Sequence, residues 1–379
     1  MTVKLQAFDF PGIAIRLDSL TAPGEFVART DLLIDKNSTD SLLRILINSP
    51  LPAGYTAYAE LSGSFSYFND KKSIADVTGF LTKQIFYISD GSIAYKVKSE
   101  EIIGTTFDVD YLGDENINSP LINYLYTLSL LAGNDVFIGS TGVVPNGQFD
   151  EEILGLAGND FFSGNTGNDY FDGGIGIDTA IFRGALSTYT VTVSSSIFDK
   201  TDSINKKLLS GYLVTDKTIN RDSTDTLINV ERLQFSDKNI ALDLAPTQSA
   251  GQTALLLGAV LPGKLVYDVS KQALLGNVIS LFDQGFTLNQ LSGALLRLPV
   301  WDILTGKAVP TNADIAGYLV NNVYGGTQTA AITNAAISAM NAETPATQGN
   351  YLASLAASAT NQTHVDLVGV QATGLVYLG

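Results

Sequence analysis

The sequence predicts a mainly β protein followed by a separate α-helical domain, and three observations predict it. Asp160, Asp169 and Asp178 recur every nine residues inside the run 155–182. Upstream of that run, apolar and polar residues alternate between turn signals, the period of half-buried strands. From Gly251 onward, apolar residues fall three and four apart, the spacing of helices that bury one face.

Residues 1–115 read as a β-sandwich-like domain. Tyr55–Tyr67 and Phe80–Tyr87 alternate, Asn69-Asp70 and Asp90-Gly91 supply turns, and Ile93–Lys98 and Thr105–Tyr111 continue the pattern. A polar connector, Gly113–Pro120, follows. The domain holds no H-E-x-x-H, G-x-S-x-G or phosphate loop. Tyr55, Tyr58 and Tyr67 would suit a carbohydrate-binding face, although aromatic strand residues are more often core or cross-strand partners. Asp9, Asp108 and Asp110 are acidic, but no carboxylate separation is legible from sequence.

The nine-residue run predicts the next domain, 120–245. Around each aspartate a glycine stands two before (Gly158, Gly167, Gly176) and an apolar residue two after (Phe162, Phe171, Ala180). Glycine admits positive φ and close backbone approach, so six residues make a tight turn and three make a short strand with one inward side chain. Two such units complete one turn of a flattened right-handed coil, and each loop stacks on the loop eighteen residues away. Stacked loops offer carboxylate and carbonyl oxygens, the hard donors that Ca²⁺ prefers. The chain has no Cys and one His, which disfavours zinc, copper and iron–sulfur centres.

The best expected site pairs 155–160 with 173–178, using Gly155, Ala157, Asn159, Asp160, Gly173, Ile175 and Asp178. A weaker one pairs 146–151 with 164–169, using Glu151, Gly164, Thr166, Asn168 and Asp169. About one to three ions are expected. Farther upstream, Gly133, Asp135, Phe137 and Gly139 keep the frame at a spacing of nine plus seven, which predicts a loop inserted at Thr141–Gly147. Turn residues joining hairpins would not hold glycine, acid and apolar positions in one register.

Tyr189–Val193 and Gly211–Thr215 read as strands, and Thr224–Leu244 as a wrap that covers the open end of the coil through Leu227, Val230, Leu233 and Phe235. Ile240, Leu242 and Leu244 alternate as a short strand, and Ala245–Ala250 is a linker. The third domain, 251–379, is a helical bundle. Leu274, Leu275, Val278, Ile279 and Phe282 form a stripe, Thr287 and Gln290 a capping box, and Ile315, Leu319 and Val323 a further helix. Ala330–Met340 and Asn350–Ala359 add two more, with Trp301 as a bundle anchor; His364, the lone histidine, has no paired nucleophile.

The net charge of −16, from 38 acidic and 22 basic residues, would repel nucleic acid and anionic membranes. No uncharged apolar stretch approaches the roughly 18 residues of a membrane helix, so no membrane insertion is expected. Residues 1–20 lack the basic and apolar regions of a cleaved secretory signal.

These residues together resemble the RTX (repeats-in-toxin) hemolysin-type calcium-binding proteins. The nonapeptides of 155–182 carry the likeness most specifically, Thr224–Leu244 looks like the segment that follows such repeats, and 350–379 is similar to a helical domain of unknown function that ends many of them. The resemblance implies a parallel β-roll, unfolded export by type I secretion machinery through an uncleaved C-terminal signal, and calcium-driven folding outside the cell. Modular β architecture without a catalytic constellation points to a secreted, cell-surface or matrix component of adhesin or surface-layer type, with cell-surface or matrix polysaccharide as a partner; a secreted hydrolase with its active site in 1–115 is the alternative. The chain departs from the family pattern in its few repeats, at Glu151, and at Ile177 where Asn is usual.

Overall fold

A computed structural model describes residues 133–139, 143–144, 147–148, 150, 152–199, 207–263, 268–344 and 347–379, and the backbone pairing of seven strands before them. Those seven are β1 (Thr2–Ala7), β2 (Leu33–Ile34), β3 (Leu42–Ile47), β4 (Thr56–Tyr67), β5 (Val77–Ser89), β6 (Ala94–Ile103) and β7 (Phe107–Asp108). The chain divides into two compact units, 1–230 with 234–236, and 231–233 with 237–379.

In the first unit, β2-β3-β4-β5-β6-β1 lie side by side in that order, with β7 pairing β5. All these pairs are antiparallel. The sequence suggested a sandwich, whereas the described strands join in one sheet. Alternation specifies which strands are half-buried, and does not specify whether neighbours continue one sheet or fold over it. Tyr55, Asp9, Asp110 and the connector 113–120 lie outside the described residues.

The repeats follow as β8 (Val136–Ile138), β9 (Val143–Val144), β10 (Gly147–Gln148), β11 (Glu152–Leu154), β12 (Phe161–Ser163), β13 (Tyr170–Asp172) and β14 (Thr179–Ile181). Alternate strands pair in parallel. Phe161 lies opposite Thr179, and Glu152 opposite Tyr170, so the register is eighteen residues on both faces. One face runs β8-β12-β14, and β1 joins its outer edge in parallel through Lys4 and Val136. The step from β8 to β12 is 25 residues, Val136 to Phe161, which is 18 + 7. Within the inserted segment β9 and β10 form a small antiparallel ladder.

The other face continues from β13 to β17 (Thr224–Ile228), through Phe171 and Leu227. That step is 56 residues, 18 + 38, and the excess holds a hairpin of β15 (Tyr189–Phe198) and β16 (Leu208–Asp216) that lies beside β17 in the same sheet. Each half-turn of the coil sends one side chain inward. Phe137, Phe162 and Ala180 from one face meet Ile153, Phe171 and Leu227 from the other, all buried. Phe137 stacks on Phe162 at 5.1 Å and Phe162 on Phe171 at 5.3 Å, a file of rings that binds layer to layer. Phe182, Tyr189 and Phe235 close the file, with centroids 5.0–5.4 Å apart.

The chain passes between units at β18 (Arg232–Gln234). The second unit holds β19 (Asn239–Ala241) and nine α-helices among the described residues: α1 (Ser249–Val260), α2 (Gln272–Asp283), α3 (Leu288–Leu296), α4 (Trp301–Thr305), α5 (Asn312–Tyr324), α6 (Ala330–Ala342), α7 (Asn350–Ala357), α8 (Ala359–His364) and α9 (Leu367–Thr373). A last strand, β20 (Leu375–Tyr377), pairs antiparallel with β19. The predicted linker 245–250 ends inside α1, whose residues 250–251 and 253–260 are all buried. A helix buried on every side has no polar face, so periodicity could not reveal its start. Leu274 is the member of the predicted α2 stripe that the structure moves out: it is 38% exposed, about a quarter-turn from Leu275, Val278, Ile279 and Phe282, which are buried. The Thr287–Gln290 capping box forms as predicted, and Trp301 is buried with its Nε1 donating to the Leu295 carbonyl at 2.9 Å. Asp243 accepts from the Ala250 N–H near the start of α1 and pairs with buried Arg232, which also binds Asp283 at 2.9 Å.

Candidate metal centre

The turns of the repeats position the acids. Gly158, Gly167 and Gly176 hold φ of +128°, +130° and +157°, each two residues before its aspartate. Leu156 and Asn165 take positive φ two residues earlier than the first two of these. Side chains pay a steric cost there, which is why glycine keeps returning. Space is equally tight between layers: a Cβ on Gly176 would fall 1.7 Å from the Gly158 carbonyl oxygen, and one on Gly158 1.9 Å from that of Gly133.

This winding turns the aspartates into a ladder. The Asp160 N–H donates to Asp178 Oδ1 at 2.8 Å, and the Asp135 N–H donates to Asp160 Oδ1 at 2.8 Å. The neighbouring asparagines run the opposite way: Asn159 Oδ1 accepts from the Ile177 N–H at 2.9 Å, and Asn134 Oδ1 from the Asn159 N–H at 2.8 Å. On the other face Asp169 N–H donates to Asp225 Oδ1 at 3.0 Å and Asn168 N–H to Asp150 Oδ1 at 2.7 Å.

The ladder brings most of the predicted site residues together. Asp160 and Asp178 stack, Ala157 bridges Ile175, and the Gly155 Cα faces both the Asp160 carboxylate and the Gly173 carbonyl: an added Cβ would lie 2.4 and 2.6 Å from them. Gly164 stands in the same way against Asp169, and Gly173 against Asp178. Thr166 is buried and Asn168 exposed in the 164–169 loop. Ile175 has an exposed side chain, and its carbonyl accepts from the Gly158 N–H at 2.9 Å, so its backbone already serves the ladder. Glu151 lies outside the described residues.

Two acids were missed. Asp150 holds the place of an asparagine, one before Glu151, and Asp225 holds an aspartate place in the layer beyond the repeats. The signal for Asp225 was present: Thr224-Asp225-Thr226-Leu227 repeats the polar-Asp-x-apolar frame of 168–171, hidden by the 38-residue excess.

Electrostatics makes the cluster costly without a cation. Asp135, Asp160, Asp169, Asp178 and Asp225 are all buried. Burial pushes the Asp160 carboxyl up to about 7; the Asp135 N–H bond opposes this and the Asp135 charge adds to it. Burial likewise pushes Asp178 up to about 7, offset by the Asp160 N–H and aided by the charges of Asp160 and Asp172. Asp225 is driven upward by burial and then by the charge of Asp169. The second oxygen of Asp160, Oδ2, is buried with no hydrogen-bond partner. A buried, unpartnered carboxylate oxygen fits a hard cation such as Ca²⁺. Among the described residues no three acidic or imidazole side chains converge on one point, so an ion here would draw several of its oxygens from loop carbonyls.

Residues 146–180 match the family model described as RTX calcium-binding nonapeptide repeat (4 copies). No curated protein matches the chain.

Proposed function

We propose that this RTX-type calcium-binding protein uses its repeats as a cation-gated folding element, a β-roll completed after type I export by calcium bound between layers. Ca²⁺ supplies the positive charge that buried carboxylates lack. The observation that carries the reading is Asp160: one oxygen is spent on the Asp135 N–H, while the other is buried, unpartnered and beside Gly155, which the Gly173 carbonyl of the next layer also faces. Asp178 and the Gly155 and Gly173 turns would complete the main site, and Asp169, Asn168 and Thr166 would serve the second face with Asp150 and Glu151.

The chain's own part is to hold Asp160 by one oxygen and leave the other without a protein partner. Without cations the stacked acids oppose folding; with them, ion affinity adds only to the folded state. Extracellular modules bind Ca²⁺ with Kd of about 10⁻⁴–10⁻³ M, so the roll would stay open at cytosolic calcium and close outside. The role we assign to the assembled protein is a secreted surface or matrix component. Among the described residues no helix is long and apolar enough to cross a membrane.

Circular dichroism and thermal melts in EGTA and in excess Ca²⁺ test the calcium gate. A transition raised by Ca²⁺ and not by Mg²⁺ is expected; coincident melts would sink it. Export is tested by expressing the protein with and without a type I transporter, and equal amounts in the medium would remove that part.

A further inference from the structure

The layer beyond the matched repeats is built like the others but carries its own cation. Loop 220–225 stacks on loop 164–169 through the same two bonds that join the repeat layers. Thr224 N–H donates to Asn168 Oδ1 at 3.3 Å, and Asp169 N–H to Asp225 Oδ1 at 3.0 Å. Ser223 holds φ of +56° at the place where Gly167 and Gly176 stand, two before the aspartate. The loop is thus a degenerate repeat, outside residues 146–180 and without a glycine.

Between these two layers lies the guanidinium of Arg183. Its Nη2 donates to the Asn165 carbonyl at 3.0 Å on one layer and to the Arg221 carbonyl on the other. Its Nε donates to Asp222 Oδ1 at 2.5 Å. Two loop carbonyls and a buried carboxylate are the oxygen types offered to an ion elsewhere in the coil. Here a fixed positive charge meets them, with the fork geometry that suits several oxygens at once. The acceptor is fixed as well: Asp222 Oδ2 takes the Arg183 N–H at 3.0 Å and the Tyr189 hydroxyl. Tyr189 in turn lies under Arg221, 5.0 Å from its ring, and Arg221 is held by Asp216 through two bonds of 2.6 and 2.7 Å. At the layer pair 155–160 with 173–178 the charges acting on Asp160 and Asp178 are those of other aspartates, as the charge of Asp169 acts on Asp225; what Arg183 adds is a positive group bonded to Asp222 and to one carbonyl of each layer.

We propose that Arg183 is a built-in cation that bridges the last two layers in place of a bound ion, so that this end of the coil forms without calcium and limits the number of ions the chain takes up. The proposal rests on the calcium reading above. It makes the 183–226 end a metal-independent seed on which the calcium-dependent layers close.

The test is the calcium count and the thermal midpoint of wild type, Arg183→Gln and Arg183→Lys, by equilibrium dialysis and by melts in EGTA and in saturating Ca²⁺. Arg183→Gln empties the cation position while leaving the three oxygens. It should bind one more Ca²⁺ per chain than wild type, melt lower in EGTA, and recover most of that loss in Ca²⁺. An unchanged count with equal loss in both conditions would overturn the proposal, since an ordinary ion pair has no reason to be replaced by calcium. Should Arg183→Gln be unfolded in both conditions, Arg183→Lys decides. Its ammonium cannot span all three oxygens, so a calcium-repaired loss is expected, and a loss that calcium leaves untouched overturns the idea. Wild-type protein that takes up no Ca²⁺ sinks the calcium reading instead, and is seen before any substitution is compared.

Discussion

Replacing Asp160 and Asp178 together by Asn separates the cost of the acid ladder from its use. Asparagine keeps Oδ1, so the bonds from the Asp135 and Asp160 N–H groups survive, while the charge and the second carboxylate oxygen are lost. Both carboxyls sit near 7 in the fold against 3.8 as free groups. At about 1.4 kcal/mol per pH unit, a rise of 7 − 3.8 ≈ 3 units is about 4 kcal/mol each. The loops border solvent, with Asn159 exposed beside Asp160, so screening leaves roughly 2 kcal/mol for the pair together.

In chelator at pH near 7.5 the double variant should therefore be the more stable protein. For a unit of this size about 2 kcal/mol raises the midpoint by about 4–8 °C. Calcium acts on the other side of the ledger. At about 10 mM Ca²⁺ and Kd of about 10⁻⁴–10⁻³ M, wild type gains about 1–3 kcal/mol per site, and the variant should forfeit that gain at the Asp160–Asp178 site. The readout is the midpoint difference between calcium and chelator, by differential scanning calorimetry. A variant less stable than wild type in EGTA, or one with an undiminished calcium increment, would refute the reasoning.

Three further outcomes follow from the same structure. The folded carboxyls titrate above their unfolded values, so the ion-free fold binds more protons than the unfolded chain: its stability is fullest below about pH 4 and is lost as pH rises through 7, a slope that urea midpoints across pH should show in EGTA and that saturating Ca²⁺ should abolish. Gly155→Ala would place a methyl 2.4 Å from Asp160 Oδ2 and should cost about 1–3 kcal/mol with weakened calcium uptake, whereas Gly317→Ala, in open space on α5, should gain about 0.5–1 kcal/mol; chemical denaturation compares them. Asn361→Ala removes the donors to the buried Leu255 and Ala356 carbonyls, each bonded at 2.8 Å, and should lower urea stability by about 2–3 kcal/mol with calcium uptake unchanged.

The recurring frame was legible because it is local. Nine residues fix one turn and one strand, so Asp160, Asp169, Asp178, the inward Phe162 and Phe171 and the eighteen-residue register follow from counting. Amphipathic helices were legible for the same reason: the stripe of α2 and the box at Thr287 lie within a few residues of one another. Features without local contrast were not. The start of α1 hides in a segment buried all round, and alternation could not tell one sheet from a sandwich in residues 1–115.

By itself, the sequence determined the repeat, the spacing of its acids and the helical character of the last third, since each depends on residues close in the chain. Only the tertiary structure decided which distant residues share a layer. It stacked Asp225 on Asp169 across 56 residues, joined β1 to β8, and laid Arg183 between Asn165 and Arg221. The partners of loop 220–225 lie across an excess of 38 residues whose length carries no pattern, and chain closure over such a loop costs little more for a long insert than for a short one. Packing of the ring file and pairing of backbone edges, rather than spacing in the chain, made the choice.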